Sequence, residues 1–207
     1  MKLLITRPEH DLETQYLSVW SKDIISLAEK QNISIKDLRG NLANMINFEK
    51  FVKKQNPSLI LLNGHGNEFK VCGHENKDLL DETNISLTKN KLVHALACSS
   101  AKVLGKQAVQ KGAKEYLGYS RPFMFITDKY NECRPGFDKF ANIFKEPALE
   151  APKFLIKGKA GAEAVLKAKE KYREAILNLS DSNNPEEAES IRFALFSNMI
   201  SLECHSA

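Results

Sequence analysis

Leu59-Ile60-Leu61-Leu62-Asn63-Gly64-His65-Gly66 and Leu92-Val93-His94-Ala95-Leu96-Ala97-Cys98-Ser99-Ser100 are the two stretches that decide the fold. In each, a short unbroken apolar run (Leu59 to Leu62, Leu92 to Ala97) stops abruptly at small and polar residues. Runs of this length without polar alternation read as strands buried on both faces, the condition of strands in a parallel sheet covered by helices. In an open parallel sheet, ligands bind beyond the carboxyl ends of the strands, and these runs put His65 and Cys98 at two such ends. A thiolate is a nucleophile and an imidazole can take its proton or lower its pKa, so His65 and Cys98 form a candidate catalytic dyad. Gly66 has no side chain to hold its N–H away from a substrate carbonyl; with the Cys98 N–H it forms a candidate oxyanion hole.

Outward from these runs, strands and helices alternate. Lys2 to Thr6 reads as a strand, Asp11 to Lys30 as an amphipathic helix, Ile33 to Leu38 as a short strand and Leu42 to Lys54 as a helix stopped by Asn56-Pro57. Asn67 to Thr88 is polar and predicts a hairpin or flap. Ala101 to Lys111 reads as a helix ended by Gly112, and Glu115 to Tyr119 as a further strand. After Arg121 the pattern becomes helical, over Phe137 to Phe144, Ala160 to Leu177 and Pro185 to Leu202, with a polar break at Ser180 to Asn184. The alternation predicts an α/β fold, a three-layer α/β/α sandwich on a mainly parallel sheet with added C-terminal helices. One domain over 1–207 is expected, with its core at about 1–120 and its helical part at about 135–207.

Composition narrows the function classes. Thirty Lys and Arg against 26 Asp and Glu leave a net charge of +4, and no basic run is interleaved with aromatics, so nucleic acid is not an expected partner. The apolar start Leu3-Leu4-Ile5 is too short for a secretory signal and no span approaches a bilayer crossing, so a cytoplasmic protein with reduced Cys72, Cys98, Cys133 and Cys204 is expected. Cys72-Gly73-His74 and Cys204-His205 lack the paired short spacings of a zinc site, and no metal or organic cofactor is expected. No Gly-rich phosphate loop supports the flavodoxin-like alternative.

The order of an apolar strand, Gly-His-Gly, a second apolar strand and Ala-Cys-x-Ser resembles the caspase-like (clan CD) cysteine peptidase superfamily. The CHAT and gingipain-like members are most similar, on Asn63 to Asn67, His94 to Ala101, the turn Gly112 to Gly118, and Phe154 to Ala160 followed by Glu163 to Lys169. The resemblance implies peptide-bond hydrolysis through an acyl-enzyme, with Cys98 as nucleophile, His65 as base and a protein or peptide as substrate. Activity that waits for an activating or regulatory protein partner is also compatible with it. Ser99-Ser100 replaces the Arg-Gly of the caspase signature, so specificity for Asp is not expected. For a basic substrate residue the loop acids on offer are Glu68, Asp78, Asp81 and Asp128. A third group orienting His65 is left open between Glu68 and a backbone carbonyl.

Several residues carry a plainer reading as well. A cysteine ending a strand is often only a small apolar filler, which gives the alternative of a catalytically silent CHAT-like interaction module. His94 shares a face with Leu96 and Cys98 and is an accessory candidate, though a core histidine is the simpler role. Lys157 to Lys171 reads as a solvated helix face, with Leu166, Tyr172 and Ile176 in the core. The crowded Phe193, Leu195, Phe196, Met199, Ile200 and Leu202 predict docking on the chain's own sheet, or a partner surface where exposed.

Overall fold

The computed structural model describes residues 1–132, 134–179 and 185–206; Cys133 and the Ser180 to Asn184 break lie outside the described residues. Strand β1 (Lys2–Arg7) leads into helix α1 (Leu12–Lys30), and β2 (Ser34–Arg39) is followed by α2 (Met45–Gln55). The chain then forms β3 (Leu59–Asn63), the small strands β4 (Val71–Cys72) and β5 (Asp78–Leu80), β6 (Leu92–Leu96), α3 (Leu104–Gln110) and β7 (Glu115–Tyr119). The C-terminal part holds α4 (Lys139–Ile156), α5 (Gly161–Asn178), α6 (Pro185–Ser201) and β8 (Leu202–Ser206).

Six strands form one sheet in the order β2-β1-β3-β6-β7-β8. All neighbours are parallel except β8, which runs antiparallel along the β7 edge. Side chains alternate across the strands, so each strand feeds two cores. Leu3, Ile5, Leu59, Leu61 and Leu96 pack with Trp20 of α1, Phe144 of α4 and Tyr172 of α5 on one face. Leu4, Ile60, Leu62, Val93 and Ala95 pack with Phe48 of α2 and Leu104 of α3 on the other. The result is the three-layer sandwich expected from the two-sided strands. Strands β4 and β5 form the predicted hairpin, antiparallel and separate from the main sheet.

Local signals set the helix ends. Asp11 caps α1 and Asn44 caps α2, each accepting the N–H three residues on. Asn56 ends α2 in the left-handed conformation ahead of Pro57.

Differences from the sequence expectations cluster in the C-terminal third. Helix α4 continues past Phe144 to Ile156 with Pro147 and Pro152 inside it. Proline disfavours a helix interior, but the buried face formed by Ala141, Phe144, Ala148, Leu149 and Leu155 spans both prolines and overrides it. The sequence pattern predicts no strand here; Leu202 to Ser206 mixes polar and apolar residues, yet pairs antiparallel along the whole of β7 as β8. Leu166 is 63% exposed rather than core, whereas Tyr172 is fully buried. The C-terminal cluster divides: Leu195 and Leu202 dock on the sheet, while Phe193, Phe196 and Ile200 are exposed. No helix among the described residues is long and apolar enough to cross a membrane.

Candidate active site

Strands β3 and β6 are adjacent and parallel, with Asn63 opposite Leu96, so the segments leaving their carboxyl ends start side by side. Two hydrogen bonds tie Asn63 to β1: its N–H to Thr6 Oγ1 at 3.3 Å and its amide Nδ2 to the Thr6 carbonyl at 2.8 Å. Gly64 then turns the chain, where a Cβ would stand 2.5 Å from the Cys72 carbonyl oxygen. Gly66 lies against the hairpin, where a Cβ would meet the Lys70 carbonyl oxygen at 2.8 Å and the Ala97 side chain at 3.2 Å. Both glycines are therefore demanded by close backbone packing, which holds the His65 segment between the hairpin and the Cys98 segment.

His65 is oriented by Asp11. The imidazole Nε2 lies 2.7 Å from Asp11 Oδ2. The other carboxylate oxygen, Oδ1, accepts the Thr14 N–H at 2.9 Å and the Thr14 hydroxyl at 2.6 Å, while Thr14 Oγ1 accepts the Asp11 N–H at 3.2 Å and closes the capping box of α1. Partial burial opposes the charge on Asp11, but the Thr14 hydroxyl and N–H, together with His65, outweigh it and hold the carboxyl below its usual range. A carboxylate on Nε2 fixes the neutral imidazole with its proton on Nε2, which leaves Nδ1 as a proton acceptor. Glu68, the sequence candidate for this orienting role, instead pairs with Lys102 at 2.8 Å.

Cys98 sits just past β6, and the next residue, Ser99, has a left-handed backbone (φ 56°). That turn is anchored by the Ser99 N–H on the Arg121 carbonyl at 3.0 Å. The Cys98 thiol points to the Phe123 carbonyl, 3.8 Å away. Burial pushes the thiol above its ordinary pKa, contrary to the expectation that an imidazole would lower it. A raised thiol pKa disfavours a standing thiolate–imidazolium pair. The N–H groups of Gly66 and Cys98 have no hydrogen-bond acceptor among the described residues.

Two concavities meet at Cys98. A pocket of about 110 Å³ is walled by Leu17, Leu96, Ala97, Phe123 and Phe125, with His65 and Cys98 at its edge and Glu13 also on its lining. An open cleft of about 490 Å³ runs past Gly66, Cys98, Ser99 and Arg121. Asn198 on α6 fastens the wall carrying Phe123 and Phe125: its side chain accepts the Met124 N–H at 3.0 Å and donates to the Met124 carbonyl at 2.6 Å.

His94 lies elsewhere. It is fully buried within the sheet between Leu61 and Leu117, lines neither concavity, and is kept neutral by burial, which lowers its pKa to about 4. Cys72 is buried on the hairpin, and Cys204 is on β8, so neither belongs to the site. Sequence reasoning missed Asp11, Glu13 and the Phe123 to Phe125 wall. Asp11 carried a signal, since an acid capping the helix that follows β1 lies at the carboxyl end of the strand beside β3.

No protein-family model and no curated protein matches this chain. Among solved structures, it is similar to the Arg-specific cysteine proteinase gingipain R (RgpB), at a TM-score of 0.51 and 12% identity over 84% of this chain. The chain spans 43% of the length of that proteinase. An identity so low speaks to the fold alone, and the α/β/α sandwich of this chain, with its mainly parallel six-stranded sheet, is consistent with a caspase-like fold.

Proposed function

We propose that this protein is a caspase-like cysteine endopeptidase, nearest by motif to the CHAT and gingipain-like members, acting on a protein or peptide substrate without a metal or organic cofactor in its chemistry. The observation that carries the reading is the Asp11–His65 pair held beside Cys98 at the junction of a side-chain pocket and an open cleft. In the proposed mechanism His65 Nδ1 takes the thiol proton as Cys98 Sγ attacks the scissile carbonyl, and Asp11 stabilises the resulting imidazolium. The unengaged Gly66 and Cys98 N–H groups receive the oxyanion. His65 then returns the proton to the leaving amine, and water activated by the same imidazole hydrolyses the thioester.

The pocket supports an apolar residue on the amino side of the cleaved bond. Its walls are mostly aliphatic and aromatic, with Glu13, Thr14 and His65 the polar residues among them. At about 110 Å³ it is smaller than the roughly 150 Å³ apolar cavity that holds a benzene ring, which suits an aliphatic side chain such as Leu or Met. None of the acids considered from sequence lines it: Glu68 pairs with Lys102, Asp78 pairs with Lys70, Asp81 bonds the Thr83 N–H, and Asp128 bonds the Tyr130 N–H and the Asn131 side chain. An acidic substrate residue would face Glu13. Glu13 is the one acid among the pocket's lining residues, and specificity for Arg, stated for gingipain R, is not carried over to this chain on fold alone.

A fluorogenic peptide library varied at that residue, run beside Cys98→Ala and His65→Ala, tests both statements. Cleavage after Leu or Met at least about 10-fold faster than after Arg or Asp, and abolished in Cys98→Ala, is the expected result. Cleavage only after basic residues would overturn the pocket assignment. Absence of turnover, with the thiol still turned to the Phe123 carbonyl, would favour the silent interaction module.

A further inference from the structure

His10 has an unexplained environment. Its side chain is only 12% exposed, and both ring nitrogens are buried without a hydrogen-bond partner. Nε2 stands 3.3 Å from Asp11 Oδ2 but is poorly directed for a hydrogen bond to it. Buried imidazole nitrogens are ordinarily satisfied, because leaving them bare costs on the order of 1–3 kcal/mol. The ring is held edge-on between two other histidines, its centroid 5.2 Å from His74 and 6.0 Å from His65. His74 has its own engagement, accepting the Glu9 N–H on Nδ1 at 3.4 Å. One ligand atom from each of His10, Asp11 and His65 falls within 4.8 Å of the other two.

We propose that His10, Asp11 and His65 form a binding site for a divalent transition cation, zinc by ligand preference, that switches the proposed peptidase off. Two imidazoles and a carboxylate are a zinc-type donor set that leaves a fourth position for water. Tetrahedral ligands about 2.0–2.2 Å from zinc stand about 3.4 Å apart, and the 2.7 Å and 3.3 Å contacts on Asp11 Oδ2 need only small shifts to reach that spacing. Asp11 Oδ1 keeps its bonds to Thr14 throughout, so the helix cap survives metal binding.

The inhibition follows from the tautomer of His65. A metal on Nε2 takes the lone pair there, so the neutral ring must change tautomer: the Nε2 proton is released to solvent and one proton is taken up from solvent on Nδ1. Nδ1 becomes a donor and can no longer accept the Cys98 proton. This consequence rests on the reading of His65 as base, whereas the site itself does not.

The test separates the two. In Cys98→Ala, titration with Co(II) followed by visible absorption and with Zn(II) by calorimetry reads binding without any peptidase activity. One equivalent is expected to bind, with affinity at least about 10-fold weaker in Cys98→Ala combined with His10→Phe, which keeps an aromatic ring against His74. His10→Gln serves as a second variant, and the metal-free Tm reports whether each is folded. With Cys98 intact, zinc is expected to slow alkylation of Cys98, and the ratio of the rate with zinc to the rate without it should rise towards one in His10→Phe. No binding in Cys98→Ala, or binding undiminished in both folded His10 variants, would overturn the site. Binding with no peptidase activity under any condition would retain the site and remove the peptidase reading.

Discussion

The two oxygens of the Asp11 carboxylate serve different elements, one closing the first turn of α1 and the other holding the His65 ring. The helix thus fixes the carboxylate, and the carboxylate fixes the tautomer that the proposed chemistry needs. His94 is the contrasting case, a titratable group that pays for burial with no function in view. Its folded pKa of about 4 lies below the ordinary histidine value of about 6.5, so the unfolded chain binds the extra proton between those values. Its contribution to stability is complete above about pH 6.5 and is lost as pH falls towards 4, by about 3 kcal/mol in all. His94→Leu, set between Leu61 and Leu117, should abolish that loss. Chemical denaturation at pH 7.5 and pH 4 should show a smaller pH dependence in the variant by about that amount, and identical pH dependence would refute the neutral buried histidine. His65 and Cys98 were legible because each ends an apolar run at a small-residue turn. Asp11, 54 residues before His65, was not, because in sequence it is only a helix cap and its second oxygen acquires meaning once β1 lies beside β3.

At the scale of elements, the site is assembled from the ends of β1, β3 and β6 and finished by the segment after β7. Strands β3, β6 and β7 could be read directly, since two-sided burial leaves continuous apolar runs. Strand β8 could not, because Leu202 to Ser206 mixes polar and apolar residues and forms no continuous apolar run. The full length of α4 was hidden by Pro147 and Pro152, whose local cost is outweighed only by packing that needs the other helices in place. The most distant element with a hand in the site is α6, through Asn198. Asn198→Ala leaves the Met124 N–H and carbonyl without their partners and should release the Phe123 to Phe125 wall. The expected effect is a rise of about 10-fold in KM for the preferred aliphatic substrate with a smaller change in kcat, because the pocket loosens while Cys98 and His65 stay in place. Steady-state kinetics on Leu and Ala peptides check this, and an unchanged preference for Leu over Ala would show that α6 does not support the pocket.

Over the whole molecule, the sheet divides the protein into two cores, and the candidate site lies at one end of it, where segments from both layers converge. The pocket is built largely from the α1 and α6 side, through Leu17 and the wall tied to Asn198, and the cleft from the hairpin and α3 side, through Gly66 and Lys102. Cys98 is the residue that lines both. On the proposed function, a peptide chain would run along the cleft with one side chain in the pocket and the sulfur between them. Partial burial raises the Cys98 thiol pKa, so the proposed mechanism depends on His65 acting as base at the moment of attack. The most direct measurement is therefore the rate at which a peptidyl acyloxymethyl ketone with Leu next to the warhead modifies Cys98 in the native protein, located by mass spectrometry, beside His65→Ala and Asp11→Asn. The account predicts selective modification of Cys98 over the other cysteines, lost by at least about 10²-fold in His65→Ala and reduced by about 10-fold or more in Asp11→Asn, which retains a cap acceptor but not the charge. Modification of Cys98 no faster than of Cys72 or Cys204, or a rate indifferent to His65, would contradict it.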